Sequence, residues 1–182
     1  MITDEKLVQQ ISQRLSLRKP QERSLDILRD VVARIDLSKA VDLEEALADI
    51  QSEYPSVEDF ERDFPSLCFA LATGVGKTRL MGAMCAFLFL SGRSKNFFIL
   101  APNTTIYQKL IDDFSNPSSP KYVFKGISQF AQQPPIIVTG DTWQEGRGVK
   151  IRDMFGGDVV INIFNVDKIN KDKGKIKKLH EY

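Results

Sequence analysis

The sequence predicts an α/β fold in which a helical N-terminal segment, residues 1–65, precedes a sandwich of helices around a mostly parallel sheet, residues 66–182. Over the second part, apolar runs of strand length alternate with helical patterns, and this alternation is typical of parallel sheets joined by right-handed crossovers. The first such run leads into a glycine-rich turn, residues 73–78, and a helix-like stretch leads out of it. Ligands of such sheets bind at the carboxyl ends of the strands, so this turn is the first candidate site.

Apolar residues at helical spacing support the helical part. Thr3 is expected to cap a first helix, and Pro20 suits the first turn of a second helix while disfavouring helix in the residue before it. Pro55 and Pro65 bound a short fourth segment. The apolar residues that mark these elements are Leu7, Ile11 and Leu15, then Leu25, Leu28, Val32 and Ile35, then Leu43, Leu47 and Ile50, and finally Val57, Phe60 and Phe64.

Strand patterns follow from residue 66 onward. The run at 96–100 is apolar almost throughout, which predicts a strand that a parallel sheet buries on both faces. The remaining elements are predicted as strands at 66–71, 136–139 and 159–164, helices at 79–90 and 104–114, and a loop or short helix at 146–157.

Length and composition bound the class of protein. With 182 residues and 42% hydrophobic content, the chain can bury one sizeable core. There is no run of about 18 apolar residues and no basic-then-apolar signal pattern, so no membrane partner is expected. Cys68 and Cys85 lie inside apolar runs, and we expect both to be small core residues in a reducing cytoplasm, with no metal site or disulfide framework. His180 is expected to be an exposed tail residue.

Charge is balanced overall but not along the chain. The net charge of +1 does not indicate a nucleic-acid-binding protein. Residues 41–63 contain nine acidic side chains against a single arginine, which favours a solvated face. Residues 168–178 contain six lysines against one aspartate, and here a solvated face and contact with a phosphate backbone stay equally open.

The glycine-rich turn has the residue types that phosphate binding requires. Gly74 and Gly76 allow backbone conformations in which successive N–H groups face an anion, and a helix beginning at the Lys77-Thr78 step directs its positive end to the same place. Lys77 would reach the β- and γ-phosphates, and the Thr78 hydroxyl would hold Mg²⁺. The predicted nucleotide-binding residues are Thr73, Gly74, Val75, Gly76, Lys77 and Thr78. The alternative is an ordinary glycine-rich turn, because Leu71 occupies the place of the first glycine in the full pattern.

These residues resemble a known family. The run Ala72 to Thr78, followed by Leu100-Ala101-Pro102-Asn103, resembles motifs I and Ia of superfamily 2 helicases and translocases of the DEAD/DEAH-box kind. Within that superfamily, residues 69–74, 103–107 and 161–165 are similar to the helicase-like restriction subunit of type III restriction enzymes. The resemblance covers roughly residues 17–182. It implies a RecA-like fold, ATP and Mg²⁺ as cofactors and DNA as a partner, and it accounts for Leu71, since this superfamily often lacks the first glycine.

The resemblance also implies roles for residues outside the turn. Arg18-Lys19-Pro20-Gln21 resembles the upstream glutamine motif that recognises adenine, and a Gln amide offers one donor and one acceptor to the adenine edge. The alternative is a surface glutamine after a turn. The strand ends would contact the sugar-phosphate of DNA without sequence preference, and the residues concerned are Pro102, Asn103, Thr104, Thr139, Gly140, Asp141 and Asn165. Simple turn roles stay open for Thr139, Gly140, Asp141 and Asn165.

Two elements that the resemblance implies are missing from the sequence. The family carries an Asp-Glu pair on a later strand and a second RecA-like domain with an arginine finger, whereas Asp167 is followed by lysine. We therefore expect an N-terminal part of a longer protein, cut before its hydrolytic residues. The complete protein is expected to be an ATP-hydrolysing DNA helicase or translocase with a modification or nuclease subunit or domain, and these residues alone are expected to be inactive.

Two other classes of function stay open. One is a different phosphate-loop enzyme, such as a nucleotide kinase or a switch ATPase, although Gln21 and the asparagines at the strand ends count against it. The other is a non-enzymatic interaction module in which the acidic helical segment is attached to a degenerate nucleotide-binding fold.

Overall fold

The computed structural model describes residues 2–35, 37, 41–142 and 159–166. The chain divides into two compact units, Met1–Phe87 and Leu88–Tyr182. Helices and a parallel sheet are both present, so the predicted α/β class is confirmed. None of the described helices is long and apolar enough to cross a membrane. Some predictions concern residues outside this described part of the chain, namely 146–157, Asp167, the lysines of 168–178 and His180.

Three helices open the first unit, as predicted: α1 (Asp4–Arg14), α2 (Lys19–Arg34) and α3 (Leu43–Glu53). The Thr3 hydroxyl accepts a hydrogen bond from the Lys6 N–H and caps α1, and Asp42 caps α3 in the same way. Pro20 lies in the first turn of α2, where its missing N–H costs nothing. The predicted inner faces are buried on α1 and α2, because they pack on each other and on their neighbours.

A tight turn joins α1 to α2. Ser16 has a φ of 48°, and the Ser16 and Leu17 N–H groups donate to the carbonyls of Gln13 and Ser12. This is the paired hydrogen bonding of a Schellman motif, with serine at the position that glycine usually occupies. The turn places the start of α2 directly after α1.

A small core forms between α2 and α3, around the buried residues Val31, Ile35, Ala46, Ile50 and Phe60. Residues 54–65 complete it as turns and bends, so the helical interpretation of the fourth segment is wrong. The segment is too short between its two prolines to form a stable helix, and only Phe60 of its two phenylalanines is buried, while Phe64 is exposed. The Gln51 side chain donates to the Val57 carbonyl and holds the segment against α3.

Residues 66–71 were predicted to form a strand that leads into the glycine-rich turn, and this prediction is wrong. They form no strand and pair with none of the described strands. A strand requires a partner for its backbone hydrogen bonds, and the apolar pattern alone cannot supply one. Cys68 is consequently exposed, which corrects its predicted core position, whereas Cys85 is buried as expected.

Helix α4 (Lys77–Leu90) begins at the end of the glycine-rich turn, as predicted. It is buried on most sides, and Ala83, Ala86 and Phe87 have no exposed surface. Gly92 ends the helix in a second Schellman motif, in which the Gly92 and Arg93 N–H groups donate to the carbonyls of Phe89 and Leu88.

The second unit contains a three-stranded parallel sheet within the described residues. Its strands are β1 (Asn96–Ala101), β2 (Ile136–Thr139) and β3 (Val160–Asn165), in the order β1-β3-β2. All three agree with predicted strands and with the predicted parallel arrangement. Helix α5 (Thr104–Ser115) follows β1 as expected, while the short helix α6 (Ser128–Gln132) was not predicted because its pattern is only one turn long.

The burial of apolar side chains in this unit differs from the prediction for β1, and aromatic residues elsewhere form a core. Phe98 and Leu100 are 51% and 52% exposed, so β1 is not buried on both faces as its apolar run predicted. The aromatic residues after α5 form a core instead. Phe124 stacks on Phe130 with ring centroids 4.2 Å apart and meets Phe114 edge-on at 5.6 Å.

Candidate nucleotide-binding site

The glycine-rich turn has a backbone that only glycine adopts readily. Gly74 and Gly76 have φ angles of +81° and +93°. The Gly76 carbonyl accepts the first helical hydrogen bond of α4, from the Leu80 N–H at 3.1 Å. The N–H groups of Lys77, Thr78 and Arg79 therefore have no partner within the helix, and they form the positive end that an anion can approach.

The side chains of the turn are available to a ligand. Lys77 and Thr73 are exposed, and Val75 and Thr78 are half-buried. Among the described residues, neither the Lys77 ammonium nor the Thr78 hydroxyl makes a hydrogen bond or ion pair. A Cβ placed on Gly74 would meet no atom within 4 Å, so open space adjoins the turn there. The turn thus brings a cation, a hydroxyl and N–H groups together in sequence and in space, which are the groups that phosphate binding requires.

Gln21 contacts this turn across 55 residues of sequence. Its Nε2 donates to the Gly76 carbonyl at 2.9 Å, and its Oε1 accepts from the Arg18 N–H at 2.8 Å. The orientation of the amide is unambiguous, because a carbonyl can only accept and a backbone N–H can only donate. Gln21 is only 2% exposed, so the alternative of a surface glutamine after a turn is wrong.

Two arginines near this contact were not predicted to have a role in it. Arg18 Nη1 donates to the Gly74 carbonyl at 3.1 Å, and Arg79 Nη1 donates to the Leu15 carbonyl at 2.9 Å. The sequence carried one signal for Arg18, its position three residues before Gln21. No signal distinguished Arg79 from the other exposed arginines.

Gly76 has a second reason to be glycine. A Cβ at this position would lie 2.9 Å from Gln21 Nε2, which is closer than real Cβ contacts allow. The left-handed backbone favours glycine, and a side chain here would displace the Gln21 amide from the Gly76 carbonyl. This sequence position is therefore determined by its neighbour as well as by its own conformation.

The predicted nucleic-acid-binding residues lie together in the second unit. The strands β1, β2 and β3 are parallel, and Ala101 pairs with Asn165 while Thr139 pairs with Ile163. Their carboxyl ends therefore form one edge of the sheet, which we call the strand-end edge. It comprises Pro102, Asn103 and Thr104 after β1, Thr139, Gly140 and Asp141 at the end of β2, and Asn165 at the end of β3.

The members of the strand-end edge differ in exposure. Pro102, Asn103, Thr104 and Asp141 are exposed, whereas Thr139 and Asn165 are buried. The Asn103 side chain accepts from the Ile106 N–H and caps α5. The Gly140 N–H donates to the Tyr107 hydroxyl at 3.1 Å, which ties the turn after β2 to α5. A role in shaping the turn is thus supported for the buried members, and surface contact is open to the exposed ones.

A family model described as type III restriction enzyme, res subunit, matches residues 14–181 of the chain. The chain belongs to this family. The match includes Gln21, the glycine-rich turn and the whole strand-end edge, and it supports a RecA-like, helicase-like, nucleotide-binding domain. Neither a curated protein nor a solved structure matches the chain.

Proposed function

We propose that the chain binds ATP with Mg²⁺ at Gly74 to Thr78 and is the ATP-binding part of an ATP-dependent DNA helicase or translocase of the type III restriction kind. The observation that carries the proposal is the backbone of the turn. Two glycines with positive φ end where a helix begins, and an exposed lysine follows at once. This arrangement in a res-subunit family member supports a phosphate-binding loop over an ordinary turn.

Each residue of the loop then has a definite role. Thr73, Gly74, Val75 and Gly76 provide the backbone that surrounds the phosphates, and Lys77 neutralises their charge. The Thr78 hydroxyl would hold Mg²⁺, since this ion prefers hard oxygen donors.

Binding and hydrolysis make different demands. Hydrolysis also needs a carboxylate for the metal, a group that orients water and a cation that neutralises developing charge. No Asp-Glu pair follows a predicted strand in these 182 residues. We propose that this part of the protein binds ATP without useful turnover, and that the complete enzyme hydrolyses it when DNA is bound.

The strand-end edge is the proposed DNA contact. Pro102, Asn103 and Thr104 are exposed at the beginning of α5, where unpaired N–H groups favour a phosphate. Such contacts carry no sequence information, so binding is expected to be salt-sensitive and independent of base sequence. A modification or nuclease subunit or domain supplies sequence recognition and cleavage in this proposal.

Isothermal titration calorimetry with Mg²⁺-ATP tests the nucleotide site. Lys77→Ala is expected to lower the affinity by more than about tenfold, because a charge-assisted hydrogen bond to phosphate is among the stronger classes, about 1.5–3 kcal/mol. Lys6→Ala is the matched control, since Lys6 is an exposed lysine on α1 of the same unit. Equal affinities of the two variants would refute the assignment.

Fluorescence anisotropy with two single-stranded oligonucleotides of unrelated sequence tests the DNA contact. Thr104→Glu places a negative charge at the beginning of α5 and is expected to weaken binding of both oligonucleotides equally. Ser118→Glu adds the same charge in an exposed turn away from the strand-end edge and is expected to change little. If both variants lose affinity to the same degree, the effect reports net charge and the strand-end edge is not the contact.

A further inference from the structure

The junction between α1 and α2 makes two hydrogen bonds to the glycine-rich turn, residues 73–78, which we call the phosphate loop, and a third hydrogen bond to Arg79 directly after it. Residues 15, 18 and 21 approach residues 79, 74 and 76 through the hydrogen bonds Arg79 Nη1 to the Leu15 carbonyl, Arg18 Nη1 to the Gly74 carbonyl and Gln21 Nε2 to the Gly76 carbonyl. Two of these bonds end on carbonyls of the loop itself. The loop is thus held by side chains from a segment more than 50 residues earlier in the chain.

The direction of those two carbonyls bears on phosphate binding. In a trans peptide unit the C=O of one residue and the N–H of the next are coplanar and point in opposite directions. No cis peptide bond occurs in the described part of the chain. A bond that holds the Gly74 carbonyl therefore also orients the Val75 N–H, and a bond that holds the Gly76 carbonyl orients the Lys77 N–H.

We propose that Arg18 and Gln21 are positioning residues that hold the phosphate loop from behind, so that the Val75 and Lys77 N–H groups face the phosphates before the nucleotide arrives. The inference rests on the proposed nucleotide site and deepens it. Donors that are oriented in advance do not lose backbone entropy when the ligand binds, and this raises affinity without any direct contact. Arg18 and Gln21 act as a unit, since Gln21 Oε1 also accepts the Arg18 N–H.

The state of the Gln21 amide distinguishes this role from base recognition. Both its oxygen and its nitrogen bond the protein backbone, and the side chain is 2% exposed. One N–H and one lone pair remain, enclosed with the rest of the side chain. A positioning role therefore predicts that loss of Gln21 affects every ligand that carries the phosphates, whatever its base.

Calorimetry with Mg²⁺-ATP, Mg²⁺-GTP and Mg²⁺-tripolyphosphate tests the proposal. Arg18→Met and Gln21→Ala are each expected to weaken all three ligands by the same factor, about three- to tenfold, the range for one ordinary hydrogen bond. Tripolyphosphate has no base, so a loss of its affinity cannot arise from base recognition. Arg18→Lys keeps a donor of similar reach and is expected to recover part of the affinity. Arg14→Met and Gln13→Ala, at exposed positions of α1, are the matched controls.

The outcomes separate this inference from the proposed function. If Lys77→Ala abolishes binding while Arg18→Met and Gln21→Ala leave all three ligands unchanged, the nucleotide site stands and the positioning role is refuted. A loss confined to ATP upon Gln21→Ala would show base recognition instead. A loss upon Arg18→Met that disappears in high salt would show that Arg18 contacts phosphate directly, which also overturns the proposal. Thermal unfolding of each variant confirms that it folds, and Arg18, being exposed, decides the matter if Gln21→Ala does not fold.

Discussion

The glycine-rich turn and the strand-end edge are both polar turns that follow apolar runs, yet they are held in different ways. The loop follows residues 66–72, which form no strand, and side chains from the α1–α2 junction bond its carbonyls. The strand-end edge is held by the parallel hydrogen bonding of three strands, with Tyr107 as an additional support for Gly140. A similar sequence pattern thus gives a turn that depends on a few distant side chains in one place and on a backbone ladder in the other.

The difference has a physical consequence for tolerance to substitution. In a backbone ladder many similar hydrogen bonds stabilise the structure together, so one change at its edge affects a single bond. The loop is held by two side chains and by the helical bond from the Leu80 N–H to the Gly76 carbonyl, so it depends on each of these few contacts. Substitutions in the loop are therefore expected to have the larger effects.

The largest expected effect is a difference in alkylation rate between Cys68, in the exposed residues that precede the loop, and the buried Cys85. Burial raises the pKa of the Cys85 thiol to about 12, so at pH 8 only about one part in ten thousand is the reactive thiolate. Cys68, on residues 66–72, is exposed. Iodoacetamide at pH 8 is expected to label Cys68 more than about a hundredfold faster than Cys85, as followed by peptide mass spectrometry. Equal protection of the two thiols would show that residues 66–72 are covered after all.

Alanine at one glycine of each region provides a direct comparison. Gly76→Ala meets both a left-handed backbone and Gln21 Nε2 at 2.9 Å, and is expected to cost about 1–3 kcal/mol in stability and to weaken ATP binding. Gly140→Ala meets Tyr107 Oη and Phe164 at 3.6 and 3.7 Å, which are ordinary contacts, and is expected to change stability by less than about 1 kcal/mol. Urea unfolding of both variants measures the contrast, and an equal cost would remove the distinction between the two regions.

Two tyrosines test how much the support from α5 contributes to the strand-end edge. The Tyr107 hydroxyl accepts from the Gly140 N–H, so Tyr107→Phe leaves that donor without its partner and is expected to cost about 1–2 kcal/mol. The Tyr122 hydroxyl is buried without a hydrogen bond to any described residue. Tyr122→Phe is therefore expected to be neutral or stabilising in the same urea series. If Tyr107→Phe is also neutral, the strand ladder alone holds the edge.

The smallest expected effect concerns the α1–α2 turn from which Arg18 and Gln21 reach the loop. Ser16 has a φ of 48°, a conformation that costs a non-glycine residue about 1 kcal/mol. Ser16→Gly is expected to raise the thermal midpoint by a few degrees without changing ATP affinity. Ser52→Gly, within helix α3, is expected to lower the midpoint instead, since glycine disfavours helix. A gain from both variants would mean that the effect does not arise from the turn.

The sequence by itself determined the elements whose cause is local. The caps Thr3 and Asn103, the start of α4 at Lys77 and the three parallel strands all follow from hydrogen-bonding groups and apolar spacing within a few residues. The family and the class of fold were accessible for the same reason, because the motifs of this family have particular residues at fixed spacing.

Only the tertiary structure decided what depends on partners distant in the chain. Residues 66–71 have a strand pattern but form no strand, and Phe98 and Leu100 are exposed although their pattern predicted burial. The contacts of Arg18 and Gln21 with the loop carbonyls span 56 and 55 residues, and no local rule specifies them. A backbone carbonyl accepts a hydrogen bond from any donor that the fold brings within reach. The partner therefore cannot be predicted from the sequence of either segment alone.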